Sequence, residues 1–196
     1  MENQSRRQAY AEQTREAILD TAHRLFSRQR FSGTSLDAIA SQAGVTKGAV
    51  YHHFKDKRTM FSVCFERQAE QVANAVAAAQ LPDDDWGQVF AQCRAFLAFV
   101  LANGRHLISL QEAITVLGWD AWHEIDTRHT MQHIEQAVTR LQTRGQMKPY
   151  PRALVINMIY GLLVNAAMNL NALPDVHEAS ENLDAIVEDM LSGLKS

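Results

Sequence analysis

Residues Thr34 to Lys57 read TSLDAIASQAGVTKGAVYHHFKDK, and this stretch decides the fold. Ser35 stands where a helix N-cap belongs, ahead of Leu36, Ile39 and Ala40, whose i, i+3, i+4 spacing marks one buried face. Gly44 follows the last residue of that helix and suits the left-handed position just past a helix end. Val45 then turns inward, and Thr46 caps a second helix carrying Lys47, Gly48, Ala49, Val50, Tyr51, His52 and His53. The outer face of this second helix is too small, polar and basic for ordinary core. A cap, a short Gly-centred turn and a compact second helix make a helix-turn-helix, whose second helix is shaped for the major groove. The pattern implies double-stranded DNA as a partner.

Helical periodicity continues on both sides. Upstream, Ala11, Ile18, Leu19, Ala22, Leu25 and Phe26 share a face of a helix from about Tyr10 to Gln29. Downstream, a long helix is expected from Asp56 towards Gln80, then one from Trp86 to Ala102 and a shorter one over Leu107 to Thr115. A helix from Trp119 to Arg144 follows. The next, Arg152 to Ala172, is apolar nearly all round and stops at Pro174. The last carries Leu183, Ile186, Val187, Met190, Leu191 and Leu194. The expected fold is all-α, with about nine helices. Three form an N-terminal DNA-binding domain, residues 1–55, and six form a C-terminal helical domain, residues 56–196.

Charge divides along the same line. Residues 1–60 hold ten Lys/Arg against six Asp/Glu, and the remainder nine against sixteen, giving the net charge of −3. A basic head on an acidic body fits phosphate neutralisation by the head. No apolar run approaches the ~18 residues of a membrane span, so no membrane partner is expected. Two cysteines, Cys64 and Cys93, fall in separate apolar stripes where thiols are inert fillers, and a reduced, cytoplasmic protein is expected.

The segments TREAILDTAHRLF (Thr14–Phe26) and GTSLDAIASQAGVTKGAVYHHFKDK (Gly33–Lys57), continuing through Met60 and Phe61, resemble the TetR family of transcriptional regulators. The resemblance covers about Thr14 to Phe61 in residue type and spacing; beyond it only the helical architecture is similar. It implies a homodimer on a pseudo-palindromic operator, repressing, and released when a small organic effector enters the body. No cofactor and no enzymatic activity are implied.

Roles for the head residues follow from position and from that resemblance. Thr34 and Ser35, at a helix start, are expected to offer hydroxyl and backbone N–H groups to a phosphate. Thr46 and Lys47 open the recognition helix, where Lys47 is placed for a guanine edge or a phosphate. Gly48 and Ala49 let the backbone approach DNA. Tyr51 and His52 look like the family's phosphate-contacting pair, with Lys55 clamping the backbone beyond. Val50 and Phe54 read as core, and His53 as a packing or capping residue.

The body carries thinner signals. At about 100° per residue, Trp119, Trp122, Asp126, His133 and Ala137 fall within about 60° of one another, with His129 beside them. The stripe has three readings: a ligand cavity, plain core with a solvated edge, or a metal site from the i, i+4 pair His129 and His133. The last would make the protein a metal-responsive regulator or a helical metalloenzyme. Phe96, Phe99, Met158 and Tyr160 are candidates for the cavity wall, and Asn165 and Asn169 read as buried amides seeking partners. Gly161, Ala166 and Ala167, with Leu183, Ile186, Val187, Met190 and Leu191 of the last helix, are candidates for half of a four-helix dimer interface.

Overall fold

The computed structural model describes residues 2–170 and 176–196, and nine helices and no strand lie among them. They are α1 (Glu2–Gly33), α2 (Leu36–Ala43), α3 (Lys47–His53), α4 (Lys57–Ala77), α5 (Asp85–Asn103) and α6 (Leu110–Leu117). Helix α7 runs over Trp119–Asp126, through a π-helical turn at Thr127–Met131, and on as Gln132–Thr143. Helices α8 (Arg152–Leu170) and α9 (Val176–Ser192) complete the set. Helix α1 begins at Glu2, earlier than the Tyr10 start its apolar spacing suggests. Pro174 lies outside the described residues. None of the described helices is long and apolar enough to cross a membrane.

The chain forms two compact units. The first comprises the chain up to Gln68 together with Arg105–Trp122; the second comprises Ala69–Gly104 and His123–Ser196. Helices α4 and α7 each begin in the first and end in the second.

In the first unit, α1 packs on α2 and α3 because Ile18, Leu19, Ala22, Leu25 and Phe26 recur on one face and are buried. The ring of Phe61 meets Phe26 edge-on at 5.1 Å and Phe31 at 5.4 Å. Each such pair contributes about 0.5–1.5 kcal/mol beyond its buried area. The corner leading into α2 is less regular. Arg30 has φ 63° and ψ 172°, a region that costs a non-glycine residue ~1–3 kcal/mol. Neighbouring groups hold it there. The Thr34 hydroxyl donates to the Arg30 carbonyl at 2.8 Å, and Lys57 Nζ donates to the carbonyls of Phe31 and Thr34, each at 2.9 Å.

In the second unit, α5 packs against α8, α9 and the C-terminal part of α7. Asp84 caps α5 through the Gly87 N–H, while Asp85 is buried and paired with Arg144 at 2.7 Å and Arg140 at 3.1 Å. The tail after α9 is pinned by Lys148 N–H to Leu194 O (2.9 Å) and Ser196 N–H to Gln146 O (3.2 Å).

The π-helical turn corrects the stripe read along α7. Before it the buried residues are Trp122, Ile125 and Asp126; after it they are Ala137, Val138 and Leu141, with Ile134 half-buried. A π turn takes up an extra residue, so the inward face moves round by about 100°. A stripe drawn with one α period across Thr127–Met131 therefore joins positions that point different ways.

Candidate nucleic-acid interface

The helix-turn-helix is built by local hydrogen bonds. Ser35 Oγ accepts from Ala38 N–H at 3.1 Å, and Thr46 Oγ1 accepts from Ala49 N–H at 3.1 Å, so both helices begin at a side-chain cap. Between them Gly44 takes φ 68°, and Val45 N–H reaches back to Ala40 O at 3.0 Å. A side chain at Gly44 would be strained at that φ. Val50 and Phe54 are buried and fasten α3 to the unit, with the Arg15 guanidinium 5.7 Å above the Phe54 ring.

What α3 leaves outside is a single face. Lys47, Gly48, Tyr51 and His52 are exposed, as is Lys55 just past the helix end, and Ala49 is half-buried beside them. Ser35 and Thr46 are exposed as well, and each hydroxyl keeps its own proton to donate outward while its oxygen caps a helix. Lys47 is engaged: its Nζ lies 2.7 Å from an Asp37 carboxylate oxygen and 6.0 Å from the Tyr51 ring centroid. The hydrogen bond to Asp37 raises the Lys47 pKa, so the ammonium is charged at neutral pH. Both partners are well exposed, and a solvated pair of this kind is readily exchanged for a phosphate or a base edge. The spacing of Asp37 and Lys47, ten residues apart on different helices, gave no sign of the pair in the sequence. His53 is half-buried; desolvation, then the charges of His52 and Arg15, lower its pKa, which fits packing and not phosphate binding.

Thr34 is a correction. It is 2% exposed, its hydroxyl is committed to Arg30 O, and its N–H reaches Phe31 O at 3.3 Å. It closes the corner between α1 and α2 and has no donor to offer a phosphate.

A narrow cleft with a cavity volume of about 50 Å³, opening to solvent, lies within the second unit. Its walls are apolar, with Trp86, Cys93, Phe96, Ile134, Met147 and Leu163 among them, and its few polar groups are Gln92, Thr130 and His133. Of the residues proposed from sequence, Phe96, His133 and Ala137 line it. The others do not. Trp119 is 58% exposed, and Trp122 is fully buried away from the cleft. Phe99 and His129 are half-buried off its wall, and Met158 is 75% exposed on another face. Asn165 and Asn169 are exposed and bond to each other along α8, so they are not buried amides.

Asp126 does not line the cleft either, though Thr130, which does, bonds to it. The buried Asp126 carboxylate accepts from the Tyr160 hydroxyl and, at 3.3 Å, from Thr130 Oγ1. Burial raises its pKa, against the lowering effect of those two hydrogen bonds; burial and the nearby carboxylate likewise push the Tyr160 hydroxyl up. Trp86, overlooked as a helix-start residue, lines the cleft and donates Nε1–H to Gln146 O at 3.0 Å. Burial pushes the thiols of Cys64 and Cys93 up to about 12, which keeps them protonated and unreactive. Among the described residues no three His, Cys, Asp or Glu side chains converge, so His129 and His133 lack the further ligands a metal needs.

The outward faces of α8 and α9 carry exposed apolar side chains too. Leu154 is 61% exposed, Met158 75%, Ile186 51% and Met190 57%, with Gly161 open beside them. Ala166 and Leu183 are half-buried. Ala167, Val187 and Leu191, grouped with them from sequence, instead face their own protomer's interior. Each helix carries two apolar i, i+4 rows, such as Val187/Leu191 inward and Ile186/Met190 outward, and sequence spacing does not separate the rows.

A capped, Gly-turned pair of helices that exposes lysine, glycine and tyrosine on the second defines a helix-turn-helix DNA-binding protein. Residues 18–64 match the family described as bacterial regulatory proteins, tetR family, and residues 86–194 match the tetracyclin repressor-like C-terminal domain. The chain is similar to the Transposon Tn10 TetC protein of Escherichia coli, 26% identical over 195 residues, covering 100% of this chain and 99% of that protein. It is also similar to the crystal structure of a TetR-family transcriptional regulator from Pectobacterium atrosepticum, with a TM-score of 0.76 at 31% identity, over 95% of this chain and 96% of the other. Its head is 59% identical over 56 residues to the HTH-type transcriptional regulator AcrR of Shigella flexneri, covering 29% of this chain and 26% of that one. The chain belongs to the TetR family. It is a DNA-binding transcriptional regulator and not an enzyme.

Proposed function

We propose that this regulator is a cytoplasmic homodimeric repressor whose grip on a pseudo-palindromic operator is released by a small organic effector. The observation that carries the reading is the cleft of the second unit: apolar walls, three polar groups and no charged lining residue. A charged guest would lose its hydration there without a counter-charge, so the effector is neutral and mainly apolar. Gln92 or His133 supplies its polar contact.

Residues 1–55 act as the DNA-binding part and 56–196 as the regulatory and dimerising part. Ser35 and Thr46 bind phosphates, and Lys47 reads a guanine edge or a phosphate after leaving Asp37. Gly48 and Ala49 admit the backbone, and Tyr51, His52 and Lys55 grip the flanking phosphates. Repression is also the role named for a relative, the HTH-type transcriptional repressor BepR of Brucella suis, 46% identical over 56 residues. Apolar exposure on α8 and α9 supports a two-fold contact between identical faces. Helix α4, which leaves the head and lines the cleft through Val72, Ala73 and Val76, acts as the lever. Half-sites about one DNA turn apart demand a fixed spacing of the two recognition helices, so a small pivot weakens binding.

The test is a thermal-shift screen of neutral metabolites, biocides and antibiotics on the purified protein. It is followed by titration of each hit against a duplex that the protein selects from a random pool. A true effector lowers DNA affinity roughly 5- to 150-fold, the range of ordinary allosteric coupling. Titrations of effector and DNA that prove independent sink the proposal.

A further inference from the structure

We propose that Glu112 of α6 is a positioning residue for DNA binding: its carboxylate holds the Phe31 amide and thereby fixes the corner from which the helix-turn-helix departs. Glu112 Oε1 accepts the Phe31 N–H across 81 residues of sequence. Phe31 directly follows Arg30, the one non-glycine among the described residues with positive φ, and Ser35 begins α2 four residues later. Release of that amide frees a strained peptide to relax, and α2 and α3 move with it.

The local sequence makes the contact unusual. Ser109 caps α6 through the Glu112 N–H at 3.2 Å, which is half of a Ser-x-x-Glu capping box. In such a box the glutamate closes back on its own helix start. Here Glu112 directs an oxygen to a distant chain segment, so its job is not confined to α6.

Other contacts make α6 a fixed reference for the corner. Arg58, one residue beyond Lys57, donates to the Val116 carbonyl at 3.1 Å and the Leu117 carbonyl at 2.8 Å, closing the C-terminal end of α6. Gln68 binds the segment before α6 twice, accepting from Ile108 N–H at 2.8 Å and donating to Ile108 O at 3.0 Å. Its Oε1 also meets His23 of α1 at 3.1 Å. Helix α6 is thus tied at both ends to α4, and Glu112 is the group that passes its position to the last turn of α1. The carbonyl of the peptide that Glu112 holds, Arg30 O, is bound by the Thr34 hydroxyl, and the Lys57 ammonium holds the next carbonyl, Phe31 O.

Three proteins test this: the unsubstituted chain, Glu112→Ala and Glu112→Gln. The glutamine keeps the accepting oxygen and loses only the charge. Affinity is measured for a duplex the unsubstituted protein selects from a random pool, and exchange of the Phe31 amide is followed by NMR. Loss of a hydrogen bond to a charged group at a strained site corresponds to roughly tenfold weaker binding in Glu112→Ala, with Phe31 exchange faster by about as much. Glu112→Gln stays within about threefold of the unsubstituted protein in both, since a neutral acceptor gives a weaker bond than a carboxylate. If Glu112→Ala fails to fold, Glu112→Gln with full affinity and a protected Phe31 amide still supports the role. Unchanged affinity in Glu112→Ala overturns it. So does a Glu112→Gln protein that keeps the Phe31 amide protected yet binds as weakly as Glu112→Ala, because the charge itself would then be responsible.

Discussion

At the scale of single residues, Gly48 and Lys55 separate what the fold needs from what DNA binding needs. Gly48 has ordinary helical backbone, and a Cβ there would meet nothing closer than Thr46 Oγ1 at 3.8 Å. A glycine inside a helix costs up to about 1 kcal/mol relative to alanine, so folding alone does not favour it. Gly48→Ala is expected to raise stability by about 0.5–1 kcal/mol, seen as a melting temperature about 1–4 °C higher, while weakening DNA binding. A variant that melts higher and binds as well as before removes Gly48 from the interface. Lys55 is exposed past the end of α3, and its replacement is expected to act through charge alone. Lys55→Ala should weaken binding about equally on every sequence and lower the slope of log affinity against log salt by about 1. An unchanged slope rules out the phosphate contact. The helix-turn-helix that carries them was legible in the sequence because caps and a left-handed glycine are set within four or five residues. Thr34 was not, because its burial depends on how α1 ends.

At the scale of elements, α7 and α8 show why the body was harder to read. The π-helical turn at Thr127–Met131 breaks the period on which any stripe depends, and no glycine or proline marks it. Beside it, the buried Asp126 carboxylate takes the hydroxyls of Tyr160 and Thr130. Because burial raises its pKa above the ordinary carboxylate value, the folded protein binds this proton more tightly than the unfolded chain does. The stabilising contribution of this group is therefore complete below the ordinary carboxylate pKa and is lost as pH rises through the raised, folded value. Asp126→Asn removes that loss while leaving an acceptor for Tyr160. The melting temperature of the variant minus that of the unsubstituted protein should grow with pH from mildly acidic to neutral. A difference that is flat or shrinks with pH would falsify the assignment of Asp126 as a carboxylate destabilised by burial. The exposed Trp119 and the buried Trp122 carry the same lesson, since three residues of helix decided which indole is covered and composition did not.

At the scale of the whole molecule, the two apolar rows on α8 and α9 ask for a second surface. Inward rows fill the protomer, with Val155, Ile159 and Leu163 on α8 and Val187 and Leu191 on α9 buried. Outward rows leave Leu154, Met158, Ile186 and Met190 more than half exposed, and Leu154, Met158 and Met190 line one apolar groove of the kind that marks an association site. In a two-fold contact each residue meets the matching face of its twin, so one substitution acts twice. Met158 is the most exposed of the four and has little burial to lose, so Met158→Glu leaves folding intact while placing two carboxylates in the proposed contact. Burying unpaired charge is costly, so the proposed dimer predicts that the variant sediments as a monomer and the unsubstituted protein as a dimer. It should also lose most of its operator affinity, because a lone recognition helix gives up the linkage between half-sites, while its far-ultraviolet circular dichroism stays unchanged. A Met158→Glu protein that remains dimeric and binds DNA normally would move the interface elsewhere on the second unit. Its retention of a melting shift with an effector would then show that the cleft works without that face.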